Sequence, residues 1–198
     1  NEVGGTITNE GTINNDYGLI TNDGTITNYG TTINNDDSTI NNDGTINNKG
    51  IINNDDSAIN NKGIINNDDD GIIYNYGGTG NYNDGAITNY NDGTINNHST
   101  IYNDGAIGNY NDGIINNHST IYNDGAIGNY NPNDDGIINN YGTIDNDDDG
   151  IIYNYDGTIN NDGTINNKGT INNEGTINND CQGVYIGYPP IGNPIVNV

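Results

Sequence analysis

His98 and His118 are the two histidines of a 198-residue chain, and both sit in the phrase INNHSTIYNDGAIGNYN, which begins at Ile95 and again at Ile115. One turn apart in a regular stack, their rings would lie about 5 Å from each other. That separation suits a shared metal, but neither histidine has a nearby cysteine or a fixed carboxylate partner. Duplication of the phrase accounts for the pair without any chemistry. Aspartates offer a second kind of site. Asp70, Asp92, Asp112, Asp135 and Asp156 each precede a glycine at one recurring corner, and Asp16, Asp36 and Asp55 recur at another. Carboxylates held in register repel by about 1 kcal/mol per pair near 4 Å even in water. Calcium bridging neighbouring carboxylates and turn carbonyls would relieve this; solvated loops that splay apart would do so too. None of these loops carries a full calcium-binding signature.

Tyrosine is the only aromatic residue, present 15 times. Tyr82, Tyr90, Tyr110 and Tyr130 fall near corners of the repeat, while Tyr102 and Tyr122 fall on a face. Rows of exposed tyrosines suit carbohydrate or lateral contacts between rods. Catalysis finds little support. No Ser-His-Asp arrangement or phosphate loop is present, and the glycines follow a six-residue period rather than a G-x-G-x-x-G context. The expectation is a non-enzyme with no catalytic or cofactor-binding residue. Cys181 is the sole cysteine, so no intrachain disulfide forms.

Composition alone would place the chain among disordered sequences. It has no Phe, Trp or Met, only 30% hydrophobic residues and a formal net charge of -24. Three basic residues against 27 acidic ones leave no cationic footprint for nucleic acid or an anionic membrane. No apolar stretch is long enough to span a membrane.

Periodicity overturns disorder. The phrase G-x-I-x-N-x recurs in 26 consecutive modules centred on isoleucines from Ile7 to Ile177, with Thr79 the one exception. An asparagine follows every centre by two residues, and Gly or Ser almost always precedes it by two. Strand side chains alternate faces, so an inward Ile takes the small residue and the Asn inward with it. Buried amides are costly unless satisfied, and stacked coils let them bond to one another. The expected asparagine ladder includes Asn9, Asn15, Asn35, Asn54, Asn75, Asn97, Asn117, Asn140, Asn161 and Asn179. Glycine takes the corner for positive φ or close packing.

The spacing errors then fix the cross-section. Most centres are six residues apart, and the longer steps recur with a period of three modules. Three modules therefore form one triangular coil of about 18–21 residues. The fold expected is an all-β, single-stranded parallel β-solenoid over residues 1–180. Eight to nine coils at about 4.8 Å each make a rod about 40 Å long. On one face Thr12, Thr32, Ile51, Ile72, Thr94, Ile114, Ile137, Thr158 and Thr176 would form a single outward column.

The phrase resembles the hexapeptide repeat of left-handed parallel β-helices, where an aliphatic residue is preceded two positions earlier by a small one. The likeness covers about residues 5–180 and departs from that family in its glycine and its fixed asparagine. Acyltransferases of that family use a histidine and extended loops that cannot be placed here. Runs such as GTINNDGTINNKGTINNEGTINND are similar to the Gly-Thr-Ile-Asn repeats of large bacterial and archaeal surface adhesins, which implies a cell-surface setting.

Residues 181–198 differ, with three of the four prolines and few charges. Prolines interrupt a ladder, so the periodic coil is expected to end near Asp180. The tail suits a cap or a strand that docks on another subunit. With the repeat starting at Gly5 and no capping helix, the expected partner is the chain itself, stacked head to tail with the tail at the contact. The sequence thus points to an extracellular structural protein, a surface filament subunit or an adhesin stalk that touches other cells or surfaces. An ice- or glycan-binding flat face is the alternative, and a hexapeptide-type acyltransferase a more distant one.

Overall fold

A computed structural model describes residues 1–55, 57–67, 71–76, 85–90, 93–110, 112–130 and 136–198. The described residues contain strands and turns and no helix. Every inter-coil pairing between the strands is parallel, and the strands stack into a three-sided solenoid. The first face is built on Ile7, Ile26, Ile46, Ile65, Ile95, Ile115, Ile138, Ile159 and Ile177. The second is built on Ile13, Ile33, Ile52, Ile73, Ile101, Ile121, Ile144 and Ile165. The third carries Ile20, Ile40, Ile59, Ile87, Ile107, Ile127, Ile152 and Ile171, in a sheet of nine strands.

The alternation anticipated from the repeat decides what is buried. From Ile26 to Ile177 these central isoleucines are at most 3% exposed. Full burial of each contributes about 1.5–3 kcal/mol, so a thin core of one residue type suffices when every coil covers its neighbours. The isoleucines meet on the axis and leave a void of only about 20 Å³ with an entirely apolar lining. About one water would fit there without polar partners, so the void is dry.

Glycine earns its place by close packing rather than by backbone dihedral. A Cβ on Gly44, Gly63 or Gly163 would sit 2.0 Å from the carbonyl oxygen of the glycine one coil earlier. Among the described residues, positive φ at glycine is confined to Gly4, Gly30, Gly187 and Gly192.

Two expectations need correction. The module centred on Thr79 lies outside the described residues; among those described, the strand Ala86–Tyr90 takes the face next after that of Ile72–Tyr76. Every module beyond it is therefore displaced by one face. Ile72 pairs with Thr100, and Thr94 pairs with Ile64, so the single Thr/Ile column splits between two faces. The second correction concerns the tail. Parallel pairing continues past Asp180, as Val184–Gly187, Ile191–Gly192 and Ile195–Asn197 extend the three faces. Pro189, Pro190 and Pro194 lie outside these short strands, where no ladder donor is required of them.

Candidate functional site

The inward asparagines form three ladders, one per corner. The first runs Asn9, Asn28, Asn48, Asn67, Asn97, Asn117, Asn140, Asn161 and Asn179. The second runs Asn15, Asn35, Asn54, Asn75, Asn103, Asn123, Asn146 and Asn167. The third starts at Asn1, whose amide donates to Asn22, and continues through Asn42, Asn61, Asn89, Asn109, Asn129, Asn154 and Asn173. The ladder residues singled out from sequence thus divide between two corners. Asn9, Asn97, Asn117, Asn140, Asn161 and Asn179 share the first, while Asn15, Asn35, Asn54 and Asn75 share the second. The displaced register beyond Tyr76 separates Asn97 through Asn179 from Asn15 through Asn75, while Asn9 lies one module before Asn15 and so on the neighbouring corner.

Each amide is fully engaged. Asn22 Nδ2 donates to Asn42 Oδ1 at 2.7 Å, Thr45 O at 3.1 Å and Gly24 O at 3.2 Å. Buried amides satisfied in this way cost nothing to desolvate and lock the register of successive coils. All rungs between inward asparagines donate toward the C-terminal end. Outward asparagines of the first face form a ladder of opposite sense, with Asn116 donating to Asn96 at 2.9 Å and Asn139 to Asn116 at 3.0 Å. The two sets of amide dipoles therefore oppose one another.

Two ladders finish in the tail. Gly187 and Gly192 take the positions that asparagine holds in earlier coils. Asn167 donates instead to the Tyr188 carbonyl and the Tyr185 hydroxyl, and Asn173 to the Asn193 carbonyl. Only the first corner carries its asparagine onward, with Asn179 and Asn197 at 3.4 Å.

His98 and His118 stack as the repeat implied, with ring centroids 4.5 Å apart and planes within 3°. Tyr141 extends the stack at 4.8 Å. Coplanar stacking points the nitrogen lone pairs of the two rings along parallel lines, so they do not converge on one ion at the roughly 2 Å that ligation needs. His118 is held below the ordinary value of 6.5 by burial and by the charge of His98. Among the described residues no group of three or more His, Cys, Asp or Glu could hold a metal ion.

Of the aspartates read as a calcium column, Asp70, Asp92 and Asp135 lie outside the described residues. Asp112 is exposed, and Asp156 adopts φ +54°. The strands that follow Asp92, Asp112, Asp135 and Asp156 stack on one another, whereas the strand after Asp70 belongs to the neighbouring face. Asp112 and Asp156 are two coils apart, about 10 Å, too far to share an ion directly. Asp16, Asp36 and Asp55 do stand in register on successive coils. Cys181 is exposed, and its thiol is pushed up by its hydrogen bond to Asp180 and that residue's charge. A protonated thiol is a poor nucleophile.

Tyrosines form two further stacks. Tyr74, Tyr102 and Tyr122 align on the second face at 5.2 and 5.0 Å. Tyr110, Tyr130 and Tyr155 align at 5.2 Å each. The rings of Tyr110 and Tyr130 fold back over Gly108 and Gly128, so close that a Cβ on either glycine would strike them. Tyr82 lies outside the described residues. The displaced register brings Tyr102 and Tyr122 beside Tyr74.

No protein-family model matches this chain, and no curated protein matches it. Among solved structures, the crystal structure of the TibC-catalyzed hyper-glycosylated TibA55-350 fragment aligns over 98% of this chain and 93% of its own, at 14% identity and a TM-score of 0.24. A superposition that loose carries no argument about fold or function.

Proposed function

We propose that this chain is an extracellular structural rod without catalytic activity, serving as an adhesin stalk or as a surface filament stacked head to tail. The carrying observation is the set of three asparagine ladders, whose inter-coil rungs from Asn9 to Asn179 span 2.6–2.9 Å. With the parallel backbone bonds beside them, these ladders place many short bonds along the rod axis, where a tether bears load. The acidic surface, at -24 net charge, keeps rods soluble and apart. The Gly-Thr-Ile-Asn runs, similar to those of surface adhesins, support the extracellular setting.

Stacking is the natural assembly of such a body. Ladders that all donate in one sense give the rod a direction, which head-to-tail stacking preserves from one copy to the next. Since Gly187 and Gly192 finish two ladders, the tail's contact rests on the backbone edge, Asn197 and the exposed side chains of Val184, Ile186 and Val196. Negative-stain micrographs of purified protein test this. Rods much longer than about 40 Å are expected, and discrete particles at high concentration would remove the filament form.

A further inference from the structure

The tyrosine column of the second face stops abruptly. Its outward positions in successive coils are Tyr102, Tyr122, Asp145, Asn166 and Ile186. Tyr122 stacks on Tyr102 through one ring face, and the rung above its other face holds an aspartate instead of a ring. Asn166 Nδ2 donates to Asp145 Oδ1 at 2.5 Å, which draws that carboxylate toward the next coil and away from Tyr122. The result is a notch with Tyr122 as one wall, Ile186 as the other, and Asp145 and Asn166 as floor. Three coil spacings separate the walls, about 14 Å. At the adjoining corner Lys168 Nζ meets Asp147 at 3.0 Å, and Asp124 stands one coil earlier.

The geometry points to a saccharide-binding site in this notch. An open aromatic face accepts the C–H face of a pyranose at a spacing of about 4.5–5 Å, and the walls leave room for it. Hydroxyl groups around a ring so placed meet acceptors at Asp145 and Asp147 and donors at Asn166 and Lys168. Charge selects among sugars. Three carboxylates against one ammonium disfavour uronic or sialic acids and favour neutral or amino sugars. Tyr102, inside the stack, lacks this capacity because it has a ring on both faces. This site is independent of the rod's assembly, so its failure would leave the structural reading untouched.

Saturation-transfer NMR from tyrosine ring protons to methyl β-glucoside, glucosamine and glucuronate tests the site. Transfer to the first two and weaker transfer to glucuronate are expected. Asp145→Tyr would continue the column and fill the notch while preserving the coil, and Tyr122→Ala would remove the platform. Each should weaken binding at least about tenfold, with melting of Asp145→Tyr unchanged or raised. No transfer to either favoured sugar at about 10 mM, or transfer unaffected by both substitutions, would overturn the assignment.

Discussion

The side-chain amide of Asn109 donates to the amide oxygen of Asn129, one coil further along the rod, at 2.9 Å. Asn109 in turn accepts from Asn89 at 2.9 Å and donates to the Gly113 carbonyl at 2.8 Å. Every hydrogen-bonding group on this side chain is committed inside a fully buried corner. Asn109→Ala strands the Asn89 donor one coil earlier and the Asn129 acceptor one coil later, at about 1–3 kcal/mol for each group left without a partner. Chemical denaturation should show a loss of that order. A midpoint equal to the parent's would mean that the ladder holds register without contributing stability.

Two glycines allow a paired test of the close-packing account. A Cβ at Gly125 would lie 2.2 Å from the Gly105 carbonyl oxygen, and backbone there cannot yield without separating the coils. Gly125→Ala should therefore abolish cooperative melting or lower the melting temperature steeply. Nothing lies within 4 Å of a Cβ on Gly11, so Gly11→Ala should change stability by no more than about 0.5 kcal/mol. Similar effects at both sites would refute the account.

His118 gives stability a defined pH dependence. Its folded pKa lies below 6.5 because burial, and then His98, disfavour the imidazolium. The unfolded chain thus binds the proton more tightly, and protonation favours unfolding. This stabilising contribution is complete above 6.5 and is lost as pH falls through the lower folded value. NMR titration should place His118 below a free histidine, and His98→Gln should raise it by removing the charge repulsion. No change on substitution would leave burial as the sole cause.

Salt should stabilise the rod. Asp16, Asp36 and Asp55 stack in register, and raising ionic strength from about 0.01 M to 1 M shortens the screening length from about 30 to 3 Å. Melting temperature is expected to rise with NaCl. Calcium at matched ionic strength would raise it further only if ions bridge the carboxylates, so equal midpoints would remove bridging as a contributor.

The six-residue phrase specified much of this architecture. Ile inward, Asn inward two residues later, and insertions recurring every third module require a three-sided parallel stack, and the phrase places His98 beside His118. The register beyond Tyr76 escaped the same reasoning. The phrase around Thr79 satisfies the asparagine pattern, and local pattern does not say whether a module lacking its isoleucine enters the stack. Pairing between coils places Ile87 on the face next after that of Ile73, and everything from Ile87 onward shifts by one face.

Sequence by itself therefore determined the repeating side of the triangle, because the alternation of a strand is a local property. The tertiary structure decided which sides lie on one another, because that depends on how much chain each corner absorbs. The length of the tyrosine column behind the notch depends on that choice: Tyr74 joins Tyr102 and Tyr122 when Ile73 rests beneath Ile101. The tail likewise became a last coil when Tyr185 and Ile195 packed against the apolar axis, a long-range contact that outweighed the prolines around it.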